Sequence, residues 1–150
     1  MKLEEAIRQI KFISKGQRLG LNLIYTFNWL QENRSSYFSK HGITSQQYNA
    51  LRILRGNHPK PYSTSDIRER MLDKMSDTSR IVDRLIKKNL VERSTNKKDK
   101  RLVDVKITKQ GLDLLQSMDE SIEILAQSPF KNLTSEEQEI LDSLLDKMRA

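Results

Sequence analysis

Apolar residues recur at helical spacing from Leu3 to about Phe38, through Leu3, Ile7, Ile10, Leu19, Leu23, Phe27 and Leu30. Gly16 and Gly20 interrupt this first helix or loosen it near Lys15. The segment HGITSQQYNALRIL starts a second helix. Gly42 ends the one before, Thr44 and Gln47 stand at capping-box spacing, and Tyr48, Leu51 and Leu54 form the buried stripe. Gly56 stops this helix, and Asn57 to Pro61 is a turn with two prolines. STSDIRERML opens a short helix, capped by Ser63 or Thr64, with Ile67 and Leu72 facing inward. After the tight connection DKM, SDTSRIVDRLIKKNL predicts the next helix, with Thr78, Ile81, Val82 and Leu85 inside. Asn89 suits a left-handed C-terminal cap.

The period then changes from helical to two. Val103, Val105 and Ile107 alternate with Asp104 and Lys106, as in a strand with one buried face, and Val91 to Thr95 is its weaker partner. A hairpin with Asn96–Arg101 at its tip follows from this pairing. Thr108 caps a long helix with Leu112, Leu115, Met118, Ile122 and Leu125 as its stripe, and Pro129 breaks the chain. Thr134 and Glu137 form another capping box, opening a last helix with apolar Ile140, Leu141, Leu144, Leu145 and Met148. The predicted order is α–α–α–α–β–β–α–α, a mainly α fold with a small β-hairpin.

Charge divides this chain into parts. The net charge is +7 over 150 residues. Residues 1–59 carry 9 Lys+Arg against 3 Asp+Glu, residues 60–110 carry 15 against 8, and residues 111–150 carry 3 against 9. A basic middle beside an acidic end predicts a polyanion partner for one region only. The length fits one domain, and long helices over a modest core call for a second copy of the chain. With no cysteine, disulfides, zinc ribbons, thiolate catalysis and thiol redox sensing are excluded. No apolar run approaches the ~18 residues of a spanning helix, and no signal-peptide core is visible, so no membrane partner and a cytoplasmic location are expected.

The informative unit runs from Thr64 to Thr108: a short helix, a tight turn, a second helix with a polar outer face, then a charged hairpin. This is a winged helix-turn-helix pattern, in which the second helix enters the DNA major groove with its N-terminal residues near base edges. Ser76, Asp77, Ser79, Arg80 and Arg84 are its candidate contacts, with Thr64 and Ser65 from the helix before it. Arg80 and Arg84 offer guanidinium forks suited to guanine or phosphate. Asp77 favours the helix N-terminus or reads a cytosine amino group, and Asp83 pairs locally with Arg80, Arg84 or Lys87. In the hairpin tip, Lys97, Lys98 and Lys100 are candidate phosphate partners, Arg101 the groove-entering residue, and Asp99 the group that positions it.

SRIVDRLIKKNLVER followed by DKRLVDVKITKQG resembles the multiple-antibiotic-resistance regulator (MarR) family. That family carries a V-D-R-L-x-K-K-G-L-V-like string and a wing ending in D-x-R-x-x-x-V-x-L-T. Asp99, Arg101, Val105, Ile107 and Thr108 stand at the matching positions. The chain departs at Asn89, where glycine is usual, and at Met75, where a small polar cap is common; the second departure predicts a less firmly capped recognition helix. The resemblance implies a homodimer, with dimerisation helices at 1–40 and 109–150 around a winged helix-turn-helix lobe at 44–108. It also implies a pseudopalindromic double-stranded operator, and Arg101 in the minor groove with Asp99 fixing it. It further implies repression more often than activation, and a small, often phenolic effector between the dimer helices and the DNA-binding lobe.

Other chemistry is thinly represented. His41 and His58 lie at turns without ligand spacing, so no metal is expected. Trp29, Tyr25 and Phe27 fit core or dimer packing better than an effector pocket. No nucleophile–base pair, phosphate loop or cofactor motif is visible, which argues against an enzyme. The competing reading is a basic winged-helix adaptor that binds protein without binding an operator.

Overall fold

In the computed structural model, which describes residues 1–150, the chain begins with a single helical turn, α1 (Leu3–Ala6). Arg8 then takes a left-handed backbone with φ 52°. The long helix α2 (Lys15–Lys40) starts only at Ser14, whose hydroxyl accepts from Gln17 N at 3.1 Å while Gln17 Oε1 accepts from Ile13 N at 2.7 Å. The expected helix from Leu3 to Phe38 is therefore broken ahead of its glycines, and Gly16 and Gly20 both lie inside α2. This reciprocal cap is a local start signal that the apolar period conceals.

Gly42, at φ 70°, ends α2, and Ile43 N returns to Phe38 O at 3.2 Å. Phe38 is buried with its ring 4.7 Å from that of Tyr48. Thr44 and Gln47 form the expected capping box, each side chain accepting from the other's amide at 3.2 Å. They open α3 (Ser45–Asn57), which runs through Gly56; the glycine does not stop it. Its end is fixed by Asn57, whose side-chain amide donates to Lys60 O and Pro61 O.

The chain forms two compact units, residues 1–48 and 49–150, and α3 passes from one to the other. The second unit continues with β1 (Tyr62–Ser63), α4 (Thr64–Arg70), α5 (Thr78–Lys87), β2 (Val91–Thr95), β3 (Val103–Ile107), α6 (Lys109–Gln127) and α7 (Ser135–Arg149), with a 3-10 turn at Ser128–Phe130. The strands form one antiparallel sheet in the order β1-β3-β2, with Tyr62 opposite Val105 and Arg93 opposite Val105 on the other side. The expected hairpin is present. The third strand was not expected, because two residues are too few to show a period.

Leu51, Leu54, Ile67, Met71, Val82, Leu85, Val105, Leu115 and Met118 are buried in this unit. Each such side chain contributes about 1.5–3 kcal/mol when fully buried. Two inward expectations fail here, and Val103, exposed where β3 begins beside the hairpin tip, is the first. Leu72 is exposed, and Met71 is buried in its place, because α4 ends at Arg70 and Met71 takes extended backbone (φ −62°, ψ 138°) that turns its side chain inward. On α6, Leu115 and Met118 are buried and Leu112, Ile122 and Leu125 half-buried, as the stripe predicts. The Thr134–Glu137 capping box opens α7 as expected, at 3.2 and 2.8 Å. Helix α7 buries none of its residues: Ile140, Leu141, Leu144 and Met148 are exposed. In the first unit, α2 likewise exposes Leu19, Ile24, Phe27 and Trp29.

Candidate nucleic-acid interface

Helix α4 is only seven residues long, and its start is firmly made. Ser63, not Thr64, is the cap: its hydroxyl accepts from Asp66 N at 3.0 Å, and Asp66 Oδ2 accepts from Ser63 N at 2.9 Å and from the Ser63 hydroxyl at 2.6 Å. These bonds hold the Asp66 carboxyl below the usual aspartate range. Thr64 is half-buried and Ser65 exposed. At the other end, the Arg70 guanidinium lies 4.4 Å above the Tyr62 ring and donates to Asp66 O.

Helix α5 begins at Thr78, two residues after the Ser76 start read from the sequence. Asp77 is its cap, accepting from Arg80 N at 3.0 Å, so this helix start is not weakly capped despite Met75. Ser76 precedes the helix, and its hydroxyl is buried without a protein partner. The outer face carries Ser79, Arg80, Asp83, Arg84 and Lys87, all exposed, while Thr78, Val82 and Leu85 are buried. Arg80 Nε lies 3.8 Å from Asp77 Oδ2. Asp83 does not pair with Arg80, Arg84 or Lys87. It takes Arg93 of β2 instead, at 2.8 Å, because β2 runs beside α5 and brings a guanidinium within reach.

Helix α5 ends as Asn89 predicts. Asn89 has φ 58°, its amide reaches Ile86 O at 2.9 Å, and Leu90 N reaches Leu85 O at 3.0 Å, a Schellman ending built on asparagine. Leu90 and Val91 then bury the root of the hairpin.

The hairpin tip is organised by Asn96. Its carbonyl oxygen accepts from Lys98 N and Asp99 N at 2.8 and 2.9 Å, and its amide group donates to Asp104 Oδ1 at 2.9 Å. Its backbone amide closes the tip on Leu102 O at 3.0 Å. Asp99 in turn clasps Arg101. Oδ1 accepts from Arg101 N at 3.0 Å and Nε at 3.2 Å, and Oδ2 accepts from Nη2 at 3.2 Å. The guanidinium and the amide of Arg101 hold the Asp99 carboxyl below its ordinary range. The Arg101 side chain is nevertheless 90% exposed. A guanidinium gripped along its Nε–Nη2 edge and open on the other side is aimed without being enclosed. Lys97, Lys98 and Lys100 are exposed around it.

The second unit thus carries every candidate contact read from the sequence. The structure brings Asp99 to Arg101 and Asp77 to the first turn of α5; it turns the Ser76 hydroxyl away from solvent. Reasoning from the sequence missed Arg93 and Asn96. Asparagine at the start of a polar turn was the available signal for Asn96. No group of His, Cys, Asp or Glu is arranged to hold a metal, and no helix is long and apolar enough to cross a membrane.

Comparisons with known proteins meet this geometry at the same place. Residues 43–103, from the start of α3 into β3, match the MarR family model. The solved MarR transcription factor from Planctomyces limnophilus is 30% identical, with a TM-score of 0.70 over 91% of this chain and 98% of that one. A mutant Escherichia coli MarR complexed with operator DNA is 28% identical, with a TM-score of 0.78 over 99% of both chains. The Bacillus subtilis transcriptional repressor MdtR is 34% identical over 91 residues, 61% of this chain and 57% of its own length. The matched residues hold the capped recognition helix and the clasped arginine of the wing, and the likeness extends along nearly the whole of solved members: the chain belongs to the MarR family.

Proposed function

We propose that the chain is a homodimeric, sequence-specific regulator of transcription that binds a pseudopalindromic duplex operator as a repressor. It acts in the cytoplasm, by binding and not by catalysis. The observation that carries this reading is the pairing of two cationic projections in one unit: the Ser79–Arg80–Arg84 face of α5 and the Asp99-held Arg101 of the wing. An α-helix fits the major groove, and an arginine fork fits the narrow, strongly negative minor groove beside it. In this reading Lys97, Lys98 and Lys100 meet phosphates, and Ser65 and Thr64 donate to the backbone at the start of α4. Asp77 acts through the cap and Asp99 through Arg101. The likeness to a MarR protein complexed with operator DNA supports the partner, and the repressor among the relatives supports the sign.

A second copy of the chain accounts for the exposed apolar side chains of α2 and α7, residues 1–40 and 109–150 supplying the dimer helices around the 44–108 lobe. Two recognition helices then meet two half-sites. The test is selection of binding sites from random duplex DNA, followed by affinity measurements across salt concentration. A two-fold symmetric site is expected, with affinity falling steeply as salt rises, with a slope of roughly −5 or steeper for about six or more neutralised phosphates. No duplex binding at low salt overturns the reading.

A further inference from the structure

The turn between α4 and α5 presents apolar side chains where solvent calls for polar ones. Leu72 is 79% exposed and Met75 92% exposed. This turn is tied down. Asn49 Oδ1 accepts from Leu72 N at 2.9 Å, Asp73 Oδ1 from Met75 N at 3.0 Å, and Asp73 O from Ser76 N at 3.2 Å. Met71 before it and Thr78 after it are buried, and the Ser76 hydroxyl is turned in. The backbone of the turn is thus fixed by Asn49 and Asp73, and two apolar side chains are held outward from it.

Charge identifies what could cover them. Arg68 and Arg70 flank the turn on α4, Lys74 lies within it, and Arg80 and Arg84 follow on the exposed side of α5. Most carboxylates nearby are committed: Asp66 to the α4 cap, Asp73 to the turn, Asp77 to the α5 cap and Asp83 to Arg93. In the chain, Leu72 and Met75 are flanked by cations and not by further exposed large apolar residues. The fitting partner is a polyanion that carries small apolar protrusions, and the C5-methyl of thymine in the major groove is one.

We propose that Met75, with Leu72, reads a thymine C5-methyl group in each operator half-site, a specificity contact made by the turn ahead of the recognition helix. This rests on the operator-binding reading above. The unbranched, polarizable thioether chain of methionine can shape itself to a methyl group.

Deoxyuridine isolates the contact, because it pairs as thymine does and lacks only the methyl. Each thymine of the selected operator is replaced by deoxyuridine, symmetrically in both half-sites, and affinity is measured for the wild type, Met75→Ala and Leu72→Ala. At one symmetric pair of positions the wild type should lose about fourfold per methyl, or roughly fifteenfold for the pair. Met75→Ala should bind the thymine and deoxyuridine duplexes equally there, while keeping the wild-type salt slope and thermal midpoint. The inference is overturned if the wild type distinguishes thymine from deoxyuridine nowhere. It is equally overturned if the distinction survives in both variants, or if Met75→Ala weakens all sequences alike. A wild-type chain that binds no duplex would instead overturn the regulator reading itself.

Discussion

Arg93 Nη1 donates to Asp83 Oδ1 at 2.8 Å and so fastens the first strand of the wing to the outer face of the recognition helix. Both side chains are about half exposed, so their coupling in a double-mutant cycle of unfolding should be only about 0.2–1 kcal/mol. The larger effect should appear on DNA. Arg93→Ala leaves the Asp83 carboxylate unpaired on the face proposed to approach phosphates. The single variant should therefore bind the operator more weakly than the double variant Asp83→Asn, Arg93→Ala, and electrophoretic or fluorescence titration would show this order.

The Asp99–Arg101 clasp has a defined pH dependence. The folded carboxyl lies below the ordinary aspartate value of about 3.9. Its contribution is then fully present above that value and is lost as pH falls through the folded pKa. Wing order should consequently be unchanged between pH 5 and 8. Carboxyl NMR titration should place Asp99 below the ordinary range, and Arg101→Ala should raise it toward about 3.9. That variant should also lose operator affinity while remaining dimeric in sedimentation.

Gly111, in the first turn of α6, has no room for a side chain. A Cβ there would lie 2.3 Å from Leu90 O and 2.7 Å from Ile107 Cγ1, and the first of these is backbone. Gly111→Ala should destabilise the fold by about 1–3 kcal/mol in denaturant unfolding. Gly20, with open space around it, is the contrasting case: Gly20→Ala in the middle of α2 should stabilise by about 0.5–1 kcal/mol.

Asp77 should matter through its cap. Asp77→Ala removes the acceptor for Arg80 N and should cost about 0.5–2 kcal/mol, most of it recovered by Asp77→Ser, as thermal unfolding would register.

Leu144 is exposed on a helix that buries none of its own residues. Leu144→Glu should shift sedimentation equilibrium from dimer toward monomer and lower operator affinity in step, since a single half-site is then read.

What could be read from the chain was what is decided within three or four residues. Thr44 and Gln47, Thr134 and Glu137, and Asp99 and Arg101 meet across such short separations, and Asn89 signals its left-handed backbone by itself. Asp83 and Arg93 are ten positions apart and face each other only because the Schellman ending folds β2 back beside α5; local pairing rules point to the wrong partners. Periodicity gives the faces of a helix but not its last residue, and one residue decided whether Met71 or Leu72 went inside. The two-residue strand β1 exists only through Val105 and Asp104, its partners some forty residues later. The exposure of the candidate residues Ser79, Arg80 and Arg84 was legible from the helical period, while the inward Ser76 hydroxyl depended on where α5 actually starts.

The end of α5, the end of the wing and the start of α6 share one knot of bonds. Thr108 N donates to Leu90 O at 3.1 Å, and the Thr108 hydroxyl donates to Asn89 O at 2.7 Å while its own oxygen accepts from Gly111 N at 3.1 Å. Gly111 presses against Leu90 O where no side chain could stand. Helix α6 extends from this knot for 19 residues, roughly 28 Å. A tilt of α6 against α5 would have to break the bonds from Thr108 to Asn89 and Leu90, or carry the end of α5 with it.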